Sequence, residues 1–261
     1  MDRLYDVILV RPPSESYKRC VSTNPAKDTI DIILAKRQHK DYVSILKESN
    51  LKVIELPALD DLPDSVFAYD PALLGTKTCV IGRFGEKTRR GENKALASDL
   101  TKYGNEVGEM NFIQEPGTLE GGDILVTDKG IFVGESTRSN TQGINQLANY
   151  VKPRVRSIQT NMFHLMCACS FLDGNRILLA QDLLSARYFP EFQFVSVPEK
   201  EAYASEALYL GEKRVLIPSG YPVTAKNLKN AGYKPIETDL SEFYKGDGGV
   251  SCMSAPVYKV I

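Results

Sequence analysis

The sequence predicts an α/β protein built from an internal repeat, in a single domain spanning residues 1–261. Three observations predict it. Apolar runs of strand length alternate with charged stretches whose apolar residues recur at helical spacing. About five passes of strand, hairpin and helix succeed one another at a spacing of ~50 residues, a structural repeat although the passes share no sequence identity. No Pro/Gly/Ser-rich linker and no low-complexity tract interrupts the chain.

The elements follow in order. Val7 to Val10 is an unbroken apolar run ahead of Arg11-Pro12-Pro13 and predicts a buried strand. Ile30, Ile33, Leu34, Val43, Ile45 and Leu46 recur at helical spacing and predict a long amphipathic helix. Lys52 to Leu56 predicts a short strand stopped by Pro57; Ser65 to Ala68 and Thr78 to Ile81 predict two more. A charged helix over Lys87 to Lys102 is closed by Gly104. After a strand at Phe112-Ile113, the runs Ile124 to Val126 and Ile131 to Val133 flank Thr127-Asp128-Lys129-Gly130, a hairpin signal. A helix is expected over Asn140 to Tyr150, then strands near Val155 to Ile158, His164 to Cys169 and Arg176 to Ala180. Phe194 to Val197, Ala207 to Leu210 and Val215 to Ile217 read as further strands, and a helix near Thr224 to Ala231 leads to a strand at Lys234 to Glu237.

Composition narrows the class. Hydrophobic residues make up 43% and charged residues 25% of the 261 positions, which excludes a disordered chain, a collagen-like repeat and a coiled-coil rod. With 32 Lys plus Arg against 33 Asp plus Glu, the net charge of −1 argues against a dedicated nucleic-acid binder. Met1 to Asp6 followed by the short run Val7 to Val10 carries no signal-peptide pattern, and no run approaches the ~18–20 apolar residues of a membrane span. Five cysteines, at 20, 79, 167, 169 and 252, are an odd number. Free thiols in a reducing cytoplasm are therefore expected, with Cys167 and Cys169 in the core.

Few residues can carry chemistry. Of the two histidines, His39 lies among Arg37, Gln38 and Lys40 and reads as a solvated surface residue. His164, flanked by Met162, Phe163 and Leu165, is either a satisfied core residue or a base held in a pocket. Cys252 follows a loop with glycines at 246, 248 and 249, which allow close approach of backbone to a ligand; a thiol there is either a nucleophile at a pocket rim or a buried structural residue. Glu120 and Asp123 flank a glycine pair and are either a solvated turn or carboxylates aimed at a cation or a histidine. Asp64 and Asp70 are spaced to share a face on a continuous strand. Arg83 and Arg138 each follow a strand end and can clamp a carboxylate, or lie on the surface. Separate acids and arginines suit a zwitterion with a cationic side chain, and a Cys with a His suits attack on an sp² carbon. There is no P-loop, no dinucleotide fingerprint and no zinc-like spacing, so neither an organic cofactor nor a metal is expected.

Taken together, a set of segments running nearly end to end resembles the dimethylarginine dimethylaminohydrolases of the guanidine-modifying (amidinotransferase) superfamily. They are Arg11-Pro12 with Ser14-Glu15-Ser16, Arg37-Gln38-His39, Leu62 to Phe67, Arg89-Arg90-Gly91-Glu92, Leu119 to Asp123, Phe132-Val133-Gly134, Arg138-Ser139-Asn140, His164-Leu165 and Asp247 to Cys252. The resemblance implies a five-bladed α/β-propeller of ββαβ units, the pentein fold, around a central channel. It implies Cys252 as nucleophile, His164 as general acid/base and Glu120 as the acid beside that histidine or beside the guanidinium. It implies substrate contacts from Asp70 on the guanidinium, from Asp64, Arg83 and Arg138 on the amino-acid end, and from the loop at Gly246. The implied reaction turns a methylated arginine into citrulline and an amine through a covalent S-alkylthiouronium. Two departures stand out. Tyr69 occupies a position where the family commonly has Glu, replacing a guanidinium-facing carboxylate by a phenol. Met166-Cys167 follows His164-Leu165 where more polar residues are frequent. Arginine deiminase or citrulline-type ureido hydrolysis on the same scaffold stays open, as does a non-catalytic guanidino-ligand or ribosome-binding role. The expected partner is a small guanidino amino acid, with no nucleic acid and no membrane; a homodimer is left open.

Overall fold

A computed structural model describes residues 3–103 and 105–261. Met1, Asp2 and Gly104, used in the N-terminal and helix-stop readings above, lie outside the described residues. Among the described residues one pattern of strand pairing occurs five times. In each case a strand runs antiparallel to a second, and the second runs parallel to a third. The antiparallel pair needs only a tight turn, or here in one case the meeting of the two chain ends; the parallel step needs a crossover of a dozen or more residues.

The first unit joins the two ends of the chain. β1 (Tyr5–Val10) is antiparallel to the last strand, β15 (Ser254–Tyr258), and parallel to β2 (Lys52–Glu55). Helix α1 (Ile32–Glu48) makes its crossover. The second unit is β3 (Ala72–Gly75), β4 (Thr78–Ile81) and β5 (Glu109–Phe112), crossed by α2 (Arg90–Leu100). The third is β6 (Ile124–Thr127), β7 (Gly130–Glu135) and β8 (Val155–Gln159), crossed by α3 (Thr141–Tyr150). The fourth is β9 (Cys169–Phe171), β10 (Arg176–Leu179) and β11 (Gln193–Ser196), crossed by a 3₁₀ turn in place of an α-helix. The fifth is β12 (Leu208–Gly211), β13 (Arg214–Pro218) and β14 (Lys234–Thr238), crossed by α4 (Pro222–Asn230); a short α5 (Ser241–Tyr244) follows. Parallel pairing of β15 with β3 fuses the first two units into a six-stranded sheet, and the other three sheets have three strands each.

Local chemistry accounts for the elements. Asp31 caps α1, its carboxylate accepting from the N–H groups of Ile33 and Leu34. The helix then buries Ile32, Ala35, His39, Tyr42, Val43 and Leu46, one face at helical spacing. Each such fully buried aliphatic side chain contributes roughly 1.5–3 kcal/mol relative to exposure. His39 is therefore not the solvated histidine expected from its charged neighbours. It is 4% exposed, and burial pushes its pKa down to about 4. Asn140 caps α3 from the Gly143 N–H and also accepts from the Thr118 N–H, tying the helix to the segment that leads into β6. The β12–β13 turn places Glu212 and Lys213 at φ 55° and 62°, the left-handed pair that a tight hairpin requires.

Two strand expectations fail. Ser65 to Ala68 is no strand: Pro63–Val66 forms a 3₁₀ turn, and the strand lies further on, at β3. His164 to Cys169 is a 3₁₀ turn, Leu165–Cys167, ahead of the short β9. Both segments are apolar because they are buried, and short apolar runs carry no period that distinguishes strand from turn. The consequence for the site is direct. Both segments are bent, and the bends aim Asp64, Asp70 and His164 into one cleft.

Candidate active site

The chemistry-bearing residues come from equivalent places in the five units. Each lies just upstream of a unit's first strand: Asp70 before Ala72, Glu120 before Ile124, His164 before Cys169, Glu206 before Leu208 and Cys252 before Ser254. Asp70, His164 and Cys252 line a single narrow cleft with Asp64, Arg89 and Gly246. Sequence reasoning brought the first, second, third and fifth of the upstream residues together and missed Glu206.

His164 Nε2 lies 2.8 Å from Glu120 Oε2, with both residues buried. Burial by itself lowers the His164 pKa and is the largest influence on it. The carboxylates of Asp70, Glu120 and Asp123 together outweigh burial and raise it to about 9. The imidazole is thus protonated at neutral pH. Glu120 shows the reciprocal effect. Burial raises its pKa, but His164, Arg89 and Arg138 hold it below the ordinary carboxylate range. Glu120 Oε1 also accepts from the Gly85 N–H at 3.0 Å. The loop under the ring is fixed by Asp123, which accepts from the Leu165 N–H at 2.9 Å and from the Ser136 hydroxyl at 2.7 Å. Gly122 is needed here because a Cβ would stand 2.4 Å from His164 Nδ1.

Asp70 is 3% exposed. Its Oδ2 accepts from Arg89 at 3.0 Å, while among the described residues its buried Oδ1 has no hydrogen-bond partner. An unpartnered buried acceptor costs about 1–3 kcal/mol, which an N–H donor in the cleft would recover. Arg89 is held in place by a bidentate pair with Glu92 at 2.9 and 2.8 Å and by the Phe84 ring beneath it. Arg89 is a second residue that sequence reasoning did not single out, although it lay within the quoted Arg89-Arg90-Gly91-Glu92. Asp64 accepts the Val21 N–H on both oxygens at 3.1 Å, and burial raises its pKa.

Cys252 is half-buried, and its Sγ lies 3.4 Å from Glu206 Oε2. Burial, then the Glu206 and Asp70 carboxylates, push its pKa well above the ordinary thiol value. Cys252 is therefore a thiol at neutral pH. All five cysteines are free. Cys169 is in the core as expected, whereas Cys167 is only half-buried.

The remaining candidates sit as follows. Arg138 lies 3.6 Å from Glu120 Oε1 and stacks on Phe163, a cleft residue, at 4.0 Å. Arg83 is outside the cleft lining, donating to the Gly117 carbonyl at 3.2 Å and pairing with Glu115 at 3.3 Å. Tyr69 corrects an expectation. Its hydroxyl donates to the Ile124 carbonyl at 2.9 Å and lies 3.1 Å from the Tyr258 hydroxyl, in the core and away from the cleft. It is no phenol facing a guanidinium. Among the described residues no group of three or more His, Cys, Asp or Glu is placed to hold a metal ion. No helix there is long and apolar enough to cross a membrane.

Comparison with known proteins identifies the family and the fold. The family described as N,N dimethylarginine dimethylhydrolase, eukaryotic, matches residues 16–259. The chain is 35% identical over 268 residues to an uncharacterised protein of Aeropyrum pernix, covering 100% of this chain and 98% of the relative. It is 32% identical over 253 residues to an N(G),N(G)-dimethylarginine dimethylaminohydrolase of Pseudomonas aeruginosa, covering 91% and 98%. The structure of a cysteine-to-serine variant of a Pseudomonas aeruginosa enzyme of that kind, complexed with citrulline, superposes with a TM-score of 0.90 at 30% identity, covering 97% of this chain and 100% of the other. The mixed α/β fold is thus shared, and the protein is a hydrolase of the type that acts on C–N bonds of linear amidines. The chain belongs to the N,N-dimethylarginine dimethylhydrolase family.

Proposed function

We propose that the protein hydrolyses N-methylated arginine, dimethyl- or monomethyl-L-arginine, to citrulline and the corresponding amine through a covalent intermediate on Cys252. The observation that carries this reading is the convergence on one cleft of a thiol, a protonated histidine paired with a carboxylate, and the buried Asp70 with a free acceptor oxygen. Asp70 Oδ1 is the group a guanidinium N–H would satisfy. The Cys252 sulfur attacks the guanidino carbon held against it. The His164 imidazolium gives its proton to the departing amine. Water, activated by the neutral imidazole that remains, then releases citrulline. A pKa of about 9 suits the first of these tasks, because the ring arrives protonated.

The amino-acid end of the substrate is assigned to Asp64, Arg138, Arg83 and the backbone of the Gly246 loop. Asp64 and Gly246 line the cleft, Arg138 stacks on the Phe163 ring, and Arg83 lies outside the lining. For the scaffold, we propose that the five three-stranded units are blades of a five-bladed propeller in a single domain. The recurrence of one chemistry-bearing residue just upstream of each unit's first strand supports that arrangement. Five free cysteines fit a reducing, cytoplasmic setting. The test offers dimethylarginine, monomethylarginine, arginine and citrulline separately to the purified protein and identifies products by mass spectrometry. Citrulline with dimethylamine or methylamine from the methylated substrates is expected. Turnover of arginine alone, of citrulline alone, or of none of the four would refute the reading.

A further inference from the structure

Four of the five upstream positions are used by the mechanism above; the fifth, Glu206, is not. We propose that Glu206 is a catalytic residue, the acceptor of the Cys252 thiol proton. The proposal rests on the functional reading above and extends it. Glu206 is 6% exposed, and its Oε2 is 3.4 Å from Cys252 Sγ, within reach of a thiol hydrogen bond. The backbone makes room for this contact. A Cβ on Gly249 would stand 2.1 Å from that same oxygen, so the glycine three residues before the nucleophile is where the carboxyl fits. The other evident acceptor is already occupied: His164 Nε2 faces Glu120, and the ring is protonated at neutral pH. Burial pushes Glu206 up to about 7, so it exchanges a proton near neutrality. The titratable groups that act on it are Cys252, Cys167, His164 and Asp70, and it in turn acts on Tyr203 and Tyr221.

The proton count closes. The Cys252 S–H bond breaks and its proton goes to Glu206 Oε2. The sulfur pair forms a C–S bond as the guanidino C=N pair moves to nitrogen. The C–N bond to the leaving amine breaks as the His164 proton is transferred to that nitrogen. Water adds to the thiouronium carbon, returning a proton to His164. The C–S bond breaks, the C=O bond closes with loss of the hydroxyl proton to solvent, and the sulfur takes its proton back from Glu206.

The test compares the full chain with Glu206→Gln, a near-isosteric change, and with Glu206→Asp. Iodoacetamide labelling of Cys252, read by peptide mapping without substrate, is followed beside dimethylarginine turnover across pH 5.5–9. For Glu206→Gln the two readouts should move in opposite directions. Labelling at pH 8 should speed up by about tenfold, because the carboxylate that raises the thiol pKa is gone. Turnover should fall by ~10²–10⁴-fold, with loss of the inflection near pH 7, and Glu206→Asp should recover part of it. Unchanged labelling in Glu206→Gln, or turnover within threefold of wild type (about one half-decade), would overturn the proposal. If wild type turns over no guanidine, the functional reading fails. The labelling arm then decides alone whether the thiol and the carboxyl share a proton.

Discussion

Two pairs at the cleft each join a glutamate to a reactive group, and they behave oppositely. Glu120 and Glu206 are both buried carboxyls. Glu120 faces an imidazolium at 2.8 Å and is held below the ordinary carboxylate range. Glu206 faces a neutral thiol at 3.4 Å and is pushed up to about 7. Desolvation is the largest influence on both, so the partner decides the outcome. One pair is a fixed ion pair that stores a proton to be given away. The other is a neutral pair able to exchange a proton when a cation enters.

Breaking either pair tests the comparison most severely. Cys252→Ser and His164→Ala should each lower kcat by ~10³-fold or more while the far-UV circular dichroism stays that of wild type. Survival of wild-type turnover in either variant contradicts the mechanism. Next in size is Glu120→Gln, which removes the charge partner of a buried imidazolium. Urea denaturation at pH 7 should show a loss of about 1.5–3 kcal/mol, and no loss would mean that the pair is worth little to the fold.

The ion pair also sets a pH dependence of stability. The folded His164 pKa, about 9, lies above the unfolded value near 6.5. Its contribution is fully present below the unfolded value and is lost as pH rises through 9. Melting curves from pH 6 to 10 should therefore show Tm falling over that window, and the fall should be smaller in His164→Ala. An equal slope in both proteins would assign the effect elsewhere. The smallest effect belongs to Tyr69→Phe. It removes a core hydrogen bond to the Ile124 carbonyl, costing about 1 kcal/mol, and steady-state kinetics should show kcat and KM within about twofold of wild type. A large rise in KM would put the phenol back at the guanidinium.

Much of the fold was legible from the sequence because its signals are periodic. Thr78–Ile81 is a strand over the residues expected, and α1 lies within two residues of its predicted limits. His39 shows where local reading fails. Its neighbours Arg37 and Lys40 suggest solvent, yet the spacing from Ala35 to His39 to Tyr42 puts it on the buried face, and helical register outranks neighbours. The site was legible where a residue type is rare or chemically marked: two histidines, a cysteine after three glycines, an acid beside a glycine pair. Glu206 carries no such mark in Ser205-Glu206-Ala207. Its signal is its place in the repeat, just before a unit's first strand, and that place is visible only once the five units are aligned by their strands.

The central claim is that Cys252 attacks the substrate and carries it. Rapid acid quench during turnover of dimethylarginine, followed by intact-mass and peptide analysis, tests this most directly. The account predicts an added mass on the Cys252 peptide equal to the substrate less its amine, absent in Cys252→Ser. Turnover with no adduct, or an adduct on any of the other four cysteines, would contradict it.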